Sequence, residues 1–486
     1  MTRSRTGAQP FVALMTAEWT KLRSVRSWWV GLLSSIFIIV VVSLGGASGS
    51  TVESLDVTVG PDGEAVTDAF QFVHQPLPGD GSITARVGNF RGTEPLSPWA
   101  KAGVIIKDGT SPGAGYAALL VTPDHGMRLQ SNFTDDRYVD QTGPADSWLR
   151  LTRDGDSVTG WNSRDGRSWR EVGTVDVGFG RGPVEVGLFV ASPDVFRTER
   201  SLAGSSGGSF PTLGTAEFDD VEVKGVSGST AWASLDVGKP STPGSATGEA
   251  TSWTVSGSGD VAPLPPDTDA VRLSLTGVFI GAIPVLAVSV LLITAEFRHG
   301  MLAATIAAAP RRRRVVLAKA IVIALTAFAA TLLAAAAAFL LSQPILQANG
   351  FTPPMYPSRS LLEGPVLRAV LGTAVTVGLL AVLALALGVV LRRSAAAISI
   401  VVFLVVLPQL LVAALPVGIG RTLLLFTPGA GFGLQRTTAT YEHVTASCLP
   451  EDGCLAGGPW LALAAPIVWA AVGLAVALAA IRRRDL

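Results

Sequence analysis

Charge is what this sequence has least of. Only 15% of its 486 residues are Asp, Glu, Lys or Arg, against about 25% in an ordinary soluble domain. No G-x-x-x-x-G-K-[ST] run occurs anywhere, so the chain carries no phosphate cradle of that kind, and any nucleotide it depends on is bound by another chain. The long apolar stretches hold almost no ionisable residues, which argues against a proton-driven pump built on carboxylates within the membrane. Cysteine is scarce too. The two present, Cys448 and Cys454, fall in one polar loop and make either a short disulfide-closed loop or two free thiols. Only His443 lies near them, too little for a zinc set, and no metal site is expected there.

The shortfall of charge is uneven. Residues 51–265 are rich in Gly, Ser, Thr, Asp and Trp, whereas residues 270–481 are dominated by Ala, Leu and Val. Two physical regimes therefore share one chain. A bilayer-spanning helix needs about 20 apolar residues, and six stretches qualify: 28–44, 273–294, 315–341, 366–391, 395–415 and 460–481. Trp28 and Trp29 suit a membrane interface, and Pro284 and Pro408 are tolerable inside spans when neighbours satisfy the freed carbonyls. With the N-terminus placed inside, the inside segments hold 16 of the 37 basic residues and only three of the 37 acids, Glu18, Glu296 and Asp485. Every alternate loop then obeys the positive-inside rule. The formal net charge of zero hides an inside of +13 and an outside of −13. The expectation is both termini in the cytoplasm, with the four consecutive arginines 311–314 in the cytoplasmic loop between the second and third spans.

Residues 10–27, PFVALMTAEWTKLRSVRS, space their apolar side chains at three and four with the basic ones mostly elsewhere, the pattern of an amphipathic helix lying on a membrane face. A basic leader, a modest apolar run and GGASGS also fit a cleaved signal peptide, but retaining this helix gives an even count of spans. Residues 51–225 alternate in short segments broken by Gly, Pro, Asp and Asn, such as KAGVIIKD, YAALLVTP and SWLRLTRDGDSVTGWNS. Seven or more such strands predict a β-sandwich. Residues 226–268 continue it as a Gly/Ser/Thr/Pro-rich stretch leading back to the membrane, and GRTLLLFTPGAGFGL, from residue 420, reads as a re-entrant or interfacial piece.

AEWTKLRSVRSWW (17–29), ITAEFRHGMLAATIAAAPRRRRVVLAKA (293–320) and the terminal RRRDL resemble the permease subunits of ABC-2 type exporters of high-GC bacteria. The resemblance covers about residues 10–50 and 265–486. It implies a non-enzymatic transporter permease in the plasma membrane, paired with an ABC ATP-binding subunit that holds ATP and Mg, and working as a homodimer or beside a second permease. The chain itself would need no cofactor, would meet membrane lipid, and has no expected nucleic-acid partner. The first piece would be a cytosolic interface helix carrying Glu18, Trp19, Lys21 and Arg23. The second would be the ATPase-coupling loop, with Glu296, Arg298, His299, Arg311, Arg312, Arg313 and Arg314. The plainer reading of the arginines is a topology anchor and an anionic-lipid contact. Some 200 residues inserted after the first span depart from the family pattern. GDGSITARV, WAKAGVIIKDG, YAALLVTPDHGMRLQS and EFDDVEV within them resemble the concanavalin A-like lectin/glucanase sandwich. The expected domains are 1–50, with the interface helix and first span; 51–268, an extracellular sandwich and linker; and 269–486, spans two to six.

In the sandwich, Trp99, Trp148, Trp161 and Trp169 could stack on a surface glycan, although tryptophan on a strand is more often core. Glu217, Asp219 and Glu222 echo the carboxylate run of some glucanases, which need paired carboxyls on one face. Strand alternation puts Glu217 and Asp219 together and turns Glu222 away unless a bulge intervenes, so a closing strand is the plainer account. A structural Ca²⁺ at Asp219 or Asp220 is a further option. Arg272, Lys319 and Arg368 lie near span ends, where they can snorkel. The rival functions are a polytopic surface receptor whose sandwich binds glycan, and a membrane-tethered glycan hydrolase.

Overall fold

The computed structural model describes residues 11–53, 56–92, 96–140, 147–180, 182–201, 204–226, 231–298, 312–444, 449–455 and 457–483. Its helices are α1 (Phe11–Ser24), α2 (Arg26–Gly49), α3 (Ala270–Ser274), α4 (Gly277–Arg298), α5 (Arg312–Ala348), α6 (Gly364–Leu391), α7 (Ser394–Val412), α8 (Val417–Phe426) and α9 (Ala464–Arg483). Six of the described helices are long and apolar enough to cross a membrane, among them α2, α4, α5, α6 and α7, with the last at Leu461–Arg482. The expected spans are recovered with shifted ends. The first runs 24 residues, from Arg26 to Gly49, because its apolar pattern continues through Gly-, Ala- and Ser-rich turns that a hydropathy reading discounts. The third runs 37 residues, about 55 Å at 1.5 Å per residue, well beyond a hydrocarbon core of about 30 Å.

Small residues bring the helices close. A Cβ on Gly277 would lie 2.1 Å from the Ile39 carbonyl oxygen, and one on Gly281 would lie 2.3 Å from Ile39 Cγ1. The hydroxyl of Ser35 donates to the Gly281 carbonyl, and Gly277 N donates to Ser43 Oγ at 3.0 Å. This is the small-residue and hydroxyl contact expected where the surroundings offer no hydrophobic gain. The helix core runs from Leu22 and Ile39 through Val285, Ile323 and Val377 to Ala477.

All described strands fall between α2 and α3. One seven-stranded antiparallel sheet orders Arg170–Asp176, Ser157–Ser163, Ser147–Asp154, Gly81–Gly92, Gly214–Lys224, Ser252–Gly257 and Ser245–Glu249. A second orders Ala233–Val237, Phe70–Leu77, Val184–Ala191, Lys101–Lys107, Tyr116–Thr122, Gly126–Ser131 and Asp135–Asp140. Val73, Leu119, Leu149 and Phe218 are among the residues that fill the space between them. The first sheet alternates buried and part-exposed residues along Ser147–Asp154, as a half-solvated sheet should. The second is buried throughout Lys101–Lys107 and Tyr116–Thr122. Its far side carries another apolar cluster, with Phe70, Phe72, Phe133, Phe189 and Val261, next to a three-stranded sheet of Thr58–Val59, Ala65–Asp68 and Val261–Pro263. Residues 226–268 are thus not simply a linker: Ala233–Val237, Ser245–Glu249 and Ser252–Gly257 are edge and near-edge strands of the two main sheets. Their short Gly/Ser-rich runs hid the alternation, since β propensity reflects packing more than composition.

Candidate functional site: a buried charge cluster where three helices meet

The start of α5 and the end of α4 come together beside α1; we call this the arginine end. One face of α1 turns Met15, Glu18 and Leu22, at helical spacing, toward the bundle. Glu18 and Leu22 are 4% and 0% exposed, and Met15 packs on the core. Glu18 meets Glu296 from the last turn of α4 and Lys319 from the second turn of α5. Lys319 is fully buried. Its ammonium donates to Glu18 Oε2, and to Glu296 Oε1 at 2.6 Å. Lys21, at the rim, donates to Glu18 Oε1 at 3.0 Å and to Glu296 Oε1 at 3.3 Å.

Two carboxylates and two ammonium groups make a neutral set. Neutrality is the condition under which charge survives away from water, since removing one partner strands an uncompensated ion. Burial alone would lower the Lys21 pKa, but the carboxylates of Glu18 and Glu296 outweigh it and hold the pKa above its ordinary value. Glu296 Oε2 is buried and makes no hydrogen bond. The cluster ties α1, which lies outside the spans, to both helices that flank residues 299–311.

Lys319 does not snorkel. It lies a full turn beyond Arg314, and its amine turns inward to two acids, Glu18 and Glu296, that Lys21 at the rim could balance only by half. Arg272 and Arg368 also turn inward: Arg272 donates to the Glu451 carbonyl, and Arg368 donates to the Arg436 carbonyl at 2.5 Å. The guanidinium of Arg392, from the turn between α6 and α7, lies 5.0 Å over the Phe297 ring. Arg298 and Arg313 are exposed, and Arg312 and Arg314 partly so, at the start of α5. His299 and Arg311 lie outside the described residues. The Arg23 carbonyl accepts a hydrogen bond from Trp29 Nε1 at 3.2 Å. Trp19 is 43% exposed and lines an apolar groove of about 620 Å³ with Met15, Trp29, Leu33 and Leu325. The ring lies along this groove beside α2 and α5 with much of its surface open, as an interfacial helix allows.

Residues 13–486 match the sequence profile of the ABC-2 family transporter proteins. The chain belongs to the ABC-2 transporter family. Membership makes it a multi-pass membrane protein and the permease component of an ABC exporter rather than an enzyme, and implies pairing with an ABC ATP-binding subunit. No curated protein matches the chain. Among solved structures, SCP-B of the eqolisin peptidase family, in a complex with an Ala-Ile-His tripeptide, is similar at 10% identity and a TM-score of 0.26, covering 41% of this chain and 100% of that one. A functionally unknown protein from Saccharomyces cerevisiae is similar at 17% identity and a TM-score of 0.21, covering 36% and 85%.

In this family member most of the candidate residues of the sandwich have partners within it. Trp99 is buried, stacked on His125 with ring centroids 3.7 Å apart, and the Arg128 guanidinium lies 5.1 Å from its ring. Trp148 and Trp161 are partly exposed, but the turn at Gly166 lies on Trp148, where an added Cβ would sit 2.8 Å from the ring. Arg150 stacks 3.7 Å over Trp169. A bulge between Asp219 and Glu222, with Asp220 at φ 53°, brings Glu217, Asp219 and Glu222 opposite Gly88, Arg86 and Thr84. All three carboxylates therefore share one face, which simple alternation denied to Glu222. They are committed to ion pairs: Glu217 to Arg91 at 3.1 Å, Asp219 to Arg86 at 2.9 Å and Glu222 to Lys224 at 3.1 Å. The Arg86 guanidinium also lies 4.0 Å from Asp220, so a cation already stands between the two aspartates proposed for Ca²⁺. Among the described residues no group of three or more His, Cys, Asp or Glu side chains could hold a metal ion. Cys454 is buried and disulfide-bonded; Cys448 lies outside the described residues.

Proposed function

We propose that the arginine end faces the cytoplasm and receives the stroke of a separate ATP-binding subunit, which binds ATP and Mg²⁺. The surface that meets it comprises α1 and the segment running from Glu296 and Arg298 through residues 299–311 to Arg312–Arg314. What carries this reading is the buried Lys319 with its two carboxylates. An element that is pushed must be fixed to the elements it drives, and this cluster fixes α1 to α4 and α5 together. The arginines flanking it offer charge-assisted hydrogen bonds to acidic groups of the partner, and the ammonium–carboxylate lock carries displacement into the second and third spans. Two copies of this chain, or one copy and a second permease, pair with two ATPase chains and move cargo outward. The sandwich then stands outside the cell. We assign it a concanavalin A-like, lectin-like role in recognising a surface group, with Trp161 the best-placed ring for a glycan.

Co-purification of the chain with a co-expressed ABC ATP-binding protein tests the proposal. Wild type should retain the ATPase. Replacing Arg312, Arg313 and Arg314 by glutamine should weaken retention, and breaking the lock with Lys319→Met should uncouple ATP hydrolysis from transport. Retention unchanged in the arginine variant, together with normal coupling in Lys319→Met, would refute it. Cysteine labelling in intact cells tests orientation independently: position 165 should be tagged from outside and position 313 should not.

A further inference from the structure

We propose that residues 436–444 form a strap that locks the sandwich to a bent helical hairpin in the membrane portion, so that displacing one displaces the other. This goes beyond the ATPase-coupling reading and does not rest on it. The hairpin is α8 followed by the tight helical turn Pro428–Gln435, bent by 108°. Every residue of Pro428–Gln435 is buried, and Gln435 Nε2 donates to Thr373 Oγ1 of α6 at 3.1 Å. The strap leaves from there.

Its first half is anchored to the membrane portion and to the linker at once. The Arg436 carbonyl accepts from Arg368 of α6 at 2.5 Å. Thr437 N, Thr437 Oγ1 and Thr438 N all donate to the Asp269 carboxylate, the last two at 2.9 Å. That same carboxylate caps α3, accepting from Val271 N and Arg272 N at 3.0 Å each. Asp269 stands six residues beyond the sandwich's final strand, Val261–Pro263, where the chain turns back toward α4. One side chain therefore joins the hairpin's exit, the sandwich linker and the lead into the second span.

The second half reaches into the sandwich. His443 is 3% exposed, and its Nε2 lies 2.9 Å from the Phe133 carbonyl oxygen. A carbonyl only accepts, so Nε2 carries the proton. Its Nδ1 lies 3.8 Å from Asp136 Oδ2, a carboxylate that Arg128 holds through two hydrogen bonds. Glu442 approaches Arg128 at 3.9 Å. Phe133 is itself fully buried, in the left-handed turn of Asn132 and Phe133 at φ 42° and 63°, which joins the last two strands at one edge of the second sheet, Gly126–Ser131 and Asp135–Asp140. The strap thus grips a rigid turn backed by the apolar cluster of Phe70, Tyr116 and Phe189. Four residues stand between its anchors at Thr438 and His443, so the five chain steps separate those anchors by no more than about 18 Å even fully extended. A segment this short limits how far the sandwich can move from the hairpin while both anchors hold.

The test is hydrogen exchange on the full-length chain in lipid nanodiscs, comparing wild type with His443→Ala and His443→Gln. Losing the buried hydrogen bond in His443→Ala should raise exchange about tenfold at two separated places: the turn and strand at residues 132–140, and the hairpin at residues 428–435. His443→Gln keeps an amide donor and should stay near wild type. A rise at residues 132–140 with the hairpin unchanged would overturn the proposal, as would no change at either place. A rise spread equally through α4 and α6 would report general unfolding and would also refute it.

Discussion

Replacing Lys319 by methionine removes a fully buried ammonium at the arginine end and, among the described residues, leaves the side chains of Glu18 and Glu296, 4% and 8% exposed, with Lys21, 42% exposed, to balance them. Breaking one partner out of a buried ion set costs about 3–5 kcal/mol. At about 1.4 kcal/mol per decade, that is a loss of roughly two to three and a half decades in the population with α1 docked. Most of the cost is the stranded charge rather than a lost attraction, so removing the opposite charge should recover it. In Lys319→Met with Glu296→Gln, one carboxylate faces one ammonium across the Glu18–Lys21 pair at 3.0 Å, and docking should return to within about 1–2 kcal/mol of wild type, since replacing a buried ion pair with neutral groups of similar volume is often near neutral. Hydrogen exchange over α1 in the purified chain reads the docking equilibrium directly. The reasoning fails if the double variant is as destabilised as the sum of the single variants, because a shared charge set requires a coupling energy well above the additive scatter of about 0.5 kcal/mol. It fails equally if Lys319→Met alone exchanges like wild type.

Gly281→Val should splay α2 from α4, because the new Cβ would stand 2.3 Å from Ile39 Cγ1 and 2.9 Å from the Ile39 backbone nitrogen; thermal denaturation monitored by size exclusion should register a loss of about 1–3 kcal/mol. Asp269→Ala removes the α3 cap together with three strap acceptor contacts, and should cost at least the roughly 1 kcal/mol of an ordinary cap, read as faster exchange at residues 270–274 and 437–438. Acid should loosen the strap. Burial first, and then the nearby Lys101, holds the His443 pKa below its ordinary value, against the Phe133 carbonyl, Asp136 and Asp260. The undocked histidine binds a proton near pH 6.5 while the docked one does not. Docking is therefore at full strength above about pH 6.5 and weakens as pH falls through the window below it. Exchange at residues 132–140, corrected for intrinsic rates, should rise on acidification in wild type and stay flat in His443→Gln.

Much of this protein follows from simple counting on the sequence. An apolar run of some 20 residues has no alternative in lipid but a helix, because the bilayer offers no partners for open backbone groups, so all six candidate spans were legible, with ends shifted by up to seven residues. The sandwich was legible as well, from strands such as Ser147–Asp154 that alternate with period two. The weaker alternation of Ser245–Glu249, exposed or partly exposed at every position, left no such trace, because an edge strand is defined by its neighbour and not by its own pattern. Glu18, Lys21 and Glu296 stood out as candidates one by one; their meeting did not. Lys319 looked like a lysine free to reach water, and only the packing of α1 across α4 and α5 made its outward path longer than its path to two buried carboxylates. Residues 301 positions apart at Lys319 and Glu18, and 310 apart at His443 and Phe133, are brought together by tertiary structure alone. Local sequence sets what each segment can become, but which charges neutralise one another depends on three-dimensional distance, which a linear pattern does not carry.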